Sequence, residues 1–237
     1  MRTPKLAGTI PALALVFSAG AASAASVSPD IIFGSGNANG GFTVTDTTLN
    51  FPGSPFSGSL ELGLRAKLRY DASGAPQNQF NYDGVDTYSF NLADGNSPAN
   101  RAMWNFEWSV NSQGITDSRT GGPVPLSADN ARIYDLILSF DTDPTAGTAF
   151  TSYNVILDGD AYYGTNATAN GGGTYVNTFD TNSANDVIPA GSTVAQNSVN
   201  YGFLPGAPLG AGLFDIKLSA FSRSGNEFAS TPLPFRR

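Results

Sequence analysis

The stretch FDTDPTAGTAF, residues 140–150, holds the carboxylate pair whose spacing best suits metal chemistry. Asp141 and Asp143 have the D-x-D spacing that can direct two carboxylates at one hard cation, and Gly147 permits a sharp bend. We therefore predict Asp141 and Asp143 as candidate calcium ligands. The twelfth position of an EF-hand loop, where glutamate is required, is occupied here by Ser152, so the stretch is not an EF-hand.

The surrounding residues leave two interpretations of this pair open. Asp158 and Asp160 in LDGDAYYG would lie near the first pair if the run between them forms the returning strand of a hairpin. Alternatively, Asp-x-Asp-Pro and Asp-Gly are good turn sequences in which the carboxylates accept hydrogen bonds from backbone N–H groups. The turn interpretation is the favoured one.

Catalysis by several common residue sets is excluded by composition. The chain has no histidine and no cysteine, which rules out Ser-His-Asp and Cys-His catalysis and zinc sites with His or Cys ligands. Glycoside hydrolysis needs two carboxyl groups flanking the bond, and Glu61 and Glu107, two of the three glutamates, occupy predicted outward strand faces. We predict a protein that is not an enzyme, with a carboxylate-based polysaccharide-active enzyme as an alternative.

The N-terminal 25 residues have the pattern of a secretory signal peptide. Arg2 and Lys5 precede an apolar run that is too short to span a bilayer, and small residues follow it. We predict a signal peptide over 1–25, a β-sandwich domain over 26–230 and a short C-terminal tail over 231–237, with no membrane span in the mature chain. The protein is expected to be secreted or held at the cell surface.

The charge balance argues against nucleic acid as a partner. Without Arg2 and Lys5, ten basic residues face 19 acidic ones, a formal charge of about −9. Phosphate binding requires clustered basic residues, which an acidic chain of this kind does not offer.

Alternation of apolar and polar residues predicts an all-β fold. In LELGLRAKLRY, residues 60–70, the leucines fall on one face and Glu61, Arg65, Lys67 and Arg69 fall on the other. WNFEWSVN, residues 104–111, repeats the pattern, and turn residues separate several further short runs. We predict a single-domain antiparallel β-sandwich, jelly-roll-like.

The faces of these strands predict which side chains are buried. Trp104 and Trp108 are expected in the core. Arg65, Lys67 and Arg69, here called the basic stripe of strand 60–70, are expected on a solvated face. Tyr162, Tyr163 and Tyr175, beside glycines, are the aromatic residues expected at the surface, where they would form a modest binding patch.

Six phrases of the chain resemble exported bacterial proteins of the PEP-CTERM and VPLPA-CTERM type, the substrates of exosortase sorting systems. They are LELGLRAKLRY, FNYDGVDTYSFNLADG, WNFEWSVN, LILSFDTDPTAGTAF, VAQNSVNYGF and GLFDIKLSAFSRSG. The resemblance covers about residues 31–225 and implies a β-rich surface or matrix component, often associated with exopolysaccharide. The family offers no catalytic residues.

The C-terminus departs from the family pattern. STPLPFRR contains Pro232-Leu233-Pro234 and two arginines, but the apolar membrane helix that normally separates these features is missing. We therefore expect a secreted, non-enzymatic surface or matrix protein that acts by binding or assembly, with polysaccharide or further copies of itself as partner. A calcium-dependent carbohydrate-binding module is the first alternative.

Overall fold

The computed structural model describes residues 23–34, 37, 39–50, 54–85, 87–126, 134–178, 187–222 and 224–236. Fifteen β-strands and two short 3-10 turns form the described part of the chain. The strands are β1 (Ser23–Ala25), β2 (Phe42–Asn50), β3 (Phe56–Tyr70), β4 (Pro76–Gln79), β5 (Tyr88–Ser89), β6 (Trp104–Asn111), β7 (Ile115–Asp117), β8 (Gly122–Pro123), β9 (Tyr134–Asp141), β10 (Phe150–Asn154), β11 (Asp160–Gly164), β12 (Thr174–Asn177), β13 (Val194–Asn200), β14 (Leu213–Ser222) and β15 (Glu227–Arg236). The 3-10 turns are Leu92–Asp94 and Tyr201–Phe203.

The strands form two sheets that pack face to face, which confirms the predicted β-sandwich. The larger sheet, sheet A, has ten strands in the order β1-β2-β3-β6-β13-β11-β12, with β4 and β7 attached to β3 and β8 attached to β7. The smaller, sheet B, has the order β10-β9-β14-β15-β5. Every strand pair is antiparallel except the two-residue pairing of β15 with β5.

Alternation along β3 and β6 builds the core between the sheets. Leu60, Leu62, Leu64, Ala66 and Leu68 of β3 are fully buried, and Trp104 and Trp108 of β6 lie among them with 0% and 1% exposure. Trp104 also stacks on Tyr201, with ring centroids 4.5 Å apart and planes 20° apart. Both tryptophans therefore belong to the core, as the strand pattern predicted.

The C-terminal residues belong to sheet B. β15 pairs with β14 along its length, and the side chain of Leu233 is fully buried in the core. The predicted boundary between domain and tail at residue 230 therefore falls inside β15. Proline interrupts hydrogen bonding in a central strand, which is consistent with the position of β15 beside the very short β5.

The predicted signal peptide, 1–25, lies outside the described residues except for Ser23–Ala25. These three residues form β1, which pairs with Phe42–Val44 at the edge of sheet A. Among the residues that the structure does describe, no helix has the length and apolar character needed to cross a membrane.

Candidate functional site

Asp141 and Asp143, the predicted calcium ligands, are both engaged in a turn. Asp141 is 1% exposed, and its Oδ1 accepts hydrogen bonds from the backbone N–H groups of Asp143 (2.9 Å) and Ala149 (2.7 Å). Asp143 Oδ1 accepts from the N–H of Thr145 at 2.9 Å, and this bond holds the pKa of Asp143 below its usual value. The carboxylates thus perform the backbone-capping role of the turn interpretation.

The second acidic pair does not join the first. The run between them does return as β10, pairing Phe150 with Asp141, but β10 then carries the chain away from Asp141 and ends where Asn154 pairs with Ile137, in the middle of β9. Asp158 follows that end, and Asp160 begins β11 in the other sheet. Within the described ranges, no three acidic residues are grouped so that they could hold a metal ion.

Asp141 lies close to a second carboxylate, that of Asp215 on β14. Burial raises the pKa of Asp215, and the negative charge of Asp141 raises it further. Two carboxylates on neighbouring strands repel each other unless a proton or a cation intervenes. The sequence did not indicate this pair, because 74 residues separate its members in the chain.

Substitution of Asp141 by asparagine tests whether this residue caps a turn or binds a metal ion. Asparagine keeps an oxygen for the two backbone N–H groups and removes the repulsion from Asp215, so we expect unfolding stability to be unchanged or raised by up to about 1 kcal/mol. Asp141→Ala removes the cap and is expected to lose about 1–3 kcal/mol. Thermal unfolding in EDTA and then in millimolar calcium measures both effects. A calcium-dependent gain in wild type that is lost in Asp141→Asn would contradict the turn assignment.

Residues 26–34, 37 and 39–41, here called the N-terminal strap, lie on the face of sheet A that points away from the core. Gln196 of β13 is fully buried beneath the strap, where its Nε2 donates to Pro29 O (3.1 Å) and its Oε1 accepts from Ile32 N (3.0 Å). Further along, the N–H groups of Gly171 and Gly173 donate to the carbonyls of Ile31 and Ile32 at 2.9 and 2.8 Å. The strap therefore forms hydrogen bonds both with β13, inside sheet A, and with the loop before β12, at the edge of the sheet.

The strap lies close to the sheet because small residues lie below it. A Cβ built on Gly63 would stand 2.5 Å from Val27 Cγ1, and one on Gly173 would stand 2.5 Å from Ile32 O. Val27, Ile31, Phe33, Phe42 and Val44 form a second, smaller apolar cluster between strap and sheet. The polar face of β3 and β6 is thus an interior layer.

This arrangement contradicts the prediction that Arg65 and Lys67 of the basic stripe, and Glu107, are solvated, whereas Arg69 is half-buried. The side chains of Arg65, Lys67 and Glu107 are 0% exposed, and both cations form ion pairs with the one carboxylate. The guanidinium of Arg65 also lies over the rings of Phe42 and Phe80, 4.2 and 4.5 Å from their centroids. The prediction was wrong because strand alternation identifies two faces but does not show that a second layer covers the outer one.

Lys67 has a further partner in the strap. Its Nζ donates to Asn37 Oδ1 as well as to Glu107. Burial lowers the pKa of Lys67, and the negative charge of Glu107 acts in the opposite direction. The triad of Arg65, Lys67 and Glu107 therefore joins β3, β6 and the strap through charge-assisted hydrogen bonds.

Glu61 holds the beginning of the strap. Its Oε1 accepts the N–H of Ser28 at 2.9 Å, while Asn111 Nδ2 donates to the carbonyl oxygen of Ser28 at 2.6 Å. Burial, with a smaller contribution from the charge of Asp46 on β2, raises the pKa of Glu61 from 4.5 to about 7. A carboxyl group with this pKa resembles a general acid, but here it is half-buried and bound to the strap.

The raised pKa of Glu61 predicts a loss of stability on going from acid to neutral pH. Between about pH 4.5 and 7 the folded state keeps a proton that the unfolded state releases, so the free energy of unfolding falls as pH rises and then levels off. After allowance for partial exposure, we expect a loss of about 1–2 kcal/mol. Denaturant unfolding at several pH values, compared between wild type and Glu61→Gln, isolates this contribution. Parallel pH profiles for the two proteins would refute it.

At the β12 edge, part of the outer face of sheet A is open to solvent. Tyr175 is 45% exposed and meets Tyr162 edge to face, with ring centroids 5.3 Å apart. The Tyr175 hydroxyl donates to Asp160 Oδ2 at 3.3 Å, and the strap contributes Phe33, whose ring lies 6.2 Å from that of Tyr162. An exposed aromatic ring and a half-buried carboxylate therefore lie side by side, and we call Tyr162, Tyr175 and Asp160 the edge site.

The predicted aromatic patch is correct in part. Tyr175 is exposed and Tyr162 half-buried on the outer face, but Tyr163 is 2% exposed and points into the core. Consecutive residues of a strand point to opposite faces, so the pair Tyr162-Tyr163 could not both be at the surface. Asp160 lies two residues before Tyr162 on β11, so the two side chains are on the same face.

Amide side chains border the edge site. Asn170 Nδ2 donates to Asn39 Oδ1 at 3.2 Å, which joins the loop before β12 to the strap. Asn177 lies opposite Asp160 in the pairing of β11 with β12. Carboxylate, phenol and amide groups can together donate and accept hydrogen bonds, and an exposed ring supplies an apolar surface.

Comparison of the chain with protein-family models, with curated proteins and with solved structures finds no match. The chemistry of the edge site is therefore the basis for assigning a function.

Proposed function

We propose that this protein is a secreted, non-catalytic component of the cell surface or extracellular matrix that binds polysaccharide through the edge site. The observation that carries the proposal is the half-exposed ring of Tyr175 beside the carboxylate of Asp160. It lies at the β12 margin of the sheet face on which the strap packs.

The chemistry of sugars suits this arrangement. A pyranose ring presents a patch of C–H groups that packs against an aromatic face, and its hydroxyls require donors and acceptors nearby. Tyr175 supplies the face, while Asp160 and the bordering asparagines supply the polar groups. Both rings are fixed in place by strand pairing, because Tyr162 and Tyr175 are directly opposite in register. A preformed site loses less conformational entropy on binding.

A non-catalytic role is supported by the structural tasks of several carboxylates. Asp141 and Asp143 cap a turn, Glu107 neutralises Arg65 and Lys67, and Glu61 binds the strap backbone. Glycoside hydrolysis requires one carboxyl as acid and a second, across the bond, as nucleophile or base. Groups engaged in this way are poorly placed for either task.

Secretion is supported by the N-terminal pattern and by the residue usage of the chain. Arg2 and Lys5, the apolar run and the small residues that follow it form the signal-peptide pattern. The numerous Asn, Ser, Thr and Gly residues suit a surface that hydrogen-bonds to hydrated polymers. This localisation belongs to the proposal and can be checked by fractionating the producing cell.

Binding is tested by isothermal titration and affinity electrophoresis of the full chain with a panel of neutral, amino and acidic polysaccharides. Tyr175→Ala is expected to weaken binding at least about tenfold, because a central aromatic contact typically contributes more than 1 kcal/mol. Phe203→Ala is the matched control, since Phe203 is also an exposed ring, 58% accessible, but lies in the 3-10 turn Tyr201–Phe203, outside the edge site. Equal affinity of the two variants, or no binding to any polysaccharide, would refute the proposal.

A further inference from the structure

Asp160 is a carboxylate without a cationic partner in the described part of the chain. The ion pairs there join Arg65 and Lys67 to Glu107, Arg119 to Asp117, and Lys217 to Glu227. Among the described residues, its Oδ2 accepts one hydrogen bond, the long one from Tyr175. Asp160 therefore retains capacity to accept hydrogen bonds from a ligand.

The charge of Asp160 acts on the aromatic groups around it. Burial raises the pKa values of Tyr153, Tyr163 and Tyr175, and in each case the negative charge of Asp160 raises the pKa further. The whole chain carries a formal charge of −7, so no general positive field offsets this local one. The edge site thus combines a negative potential with two aromatic rings.

A carboxylate beside aromatic rings is complementary to an organic cation. A protonated amine forms a charge-assisted hydrogen bond to the carboxylate and is attracted to the faces of nearby rings. A uronate would be repelled by Asp160. Calcium requires about six to eight oxygen ligands, and the edge site offers one carboxylate.

We propose that the edge site selects glycans with protonated primary amines, that is, de-N-acetylated amino sugars, over N-acetylated and acidic ones. This inference rests on the proposed function, since it names the polysaccharide class that the same site would bind. Tyr175 provides the contact common to all sugars, and Asp160 provides the selection for the amine.

The test uses the full chain and three oligosaccharide probes of equal length: glucosamine, N-acetylglucosamine and galacturonate oligomers. Isothermal titration is performed at about pH 5.5, where the amine of the glucosamine oligomer is protonated. We expect the glucosamine oligomer to bind at least about tenfold more tightly than the N-acetylated one. Asp160→Asn should remove this preference while leaving the affinity for the N-acetylated oligomer within about twofold.

Asp158→Asn is the matched control because it makes the same change of charge at an exposed residue close in sequence. The control should keep the preference for the amine. An equal loss of the preference in Asp160→Asn and Asp158→Asn would show that the amine is attracted non-specifically to an acidic protein, and would overturn the inference. Equal binding of glucosamine and N-acetylglucosamine oligomers, each weakened by Tyr175→Ala, would overturn the inference and leave the proposed function standing. No binding to any probe, together with a negative polysaccharide panel, would overturn both.

Discussion

Replacement of Glu107 by alanine is expected to lower the free energy of unfolding by about 3–5 kcal/mol, the cost of leaving buried charges without their partner. Arg65 and Lys67 have side chains with 0% exposure, and Glu107 is the carboxylate that pairs with both. Its loss would leave two like charges in an interior from which water is excluded. For a domain of this size, the melting temperature should fall by roughly 6–20 °C.

The matched control is Glu227→Ala, which removes the carboxylate of a half-exposed ion pair. Glu227 and Lys217 are 33% and 35% accessible, so solvent screens their attraction and we expect a loss below about 1 kcal/mol. A triple variant with methionine at Arg65, Lys67 and Glu107 should recover most of the stability, because apolar replacement of a whole buried ion group is often neutral. Similar melting temperatures for Glu107→Ala and Glu227→Ala would contradict the assignment of a buried triad.

Substitution of Gly58 by alanine is expected to lower the free energy of unfolding by about 3 kcal/mol or more. The φ angle of Gly58 is +127°, a conformation that residues with a side chain rarely adopt. An added Cβ would overlap the carbonyl oxygen of Gly114 and stand 3.0 Å from its carbonyl carbon and 3.2 Å from Ile115 Cα. These are backbone atoms, so β7 itself would have to move away from β3.

Gly121→Ala is the control for Gly58→Ala, because it has the conformational cost of a positive φ without the steric clash. Gly121 also has a positive φ, +71°, but an added Cβ would meet nothing within 4 Å. We therefore expect a loss of only about 1 kcal/mol for Gly121→Ala. Chemical denaturation of both variants provides the comparison, and equal losses would show that the approach of β7 to Gly58 has no energetic consequence.

Strand existence was largely predictable from the sequence, whereas strand ends were less so. The runs around Leu64, Trp104 and Leu138 form β3, β6 and β9 because alternating apolar residues must share one buried face. The short runs TYSFNL, residues 87–92, and FTSYNVIL, residues 150–157, also predict strands. The first forms only the two-residue β5 followed by a 3-10 turn, and in the second β10 ends at Asn154. Asn154 ends β10 by accepting the N–H groups of Ile156 and Leu157 with its side chain, a local competition that periodicity does not detect.

The candidate site was likewise predictable from the sequence only in part. The exposure of Tyr175 followed from glycine-rich surroundings, and the capping role of Asp141 and Asp143 followed from turn chemistry. The proximity of Asp141 to Asp215 and the position of Asp160 beside Tyr175 depend on which strands become neighbours. Neighbour relations arise from contacts between residues far apart in the chain, and a single sequence carries little information about them.

The sequence by itself determined the all-β class, the apolar face of each main strand and the exclusion of cysteine and histidine chemistry. These properties depend on residue types and on a period of two, both of which are local. Only the tertiary structure decided that Arg65, Lys67 and Glu107 are interior, because the strap that covers them is held by Gln196 and Glu61 from distant strands. Burial is a property of the assembled layers, and an alternating strand has the same pattern whether its polar face meets water or another part of the chain.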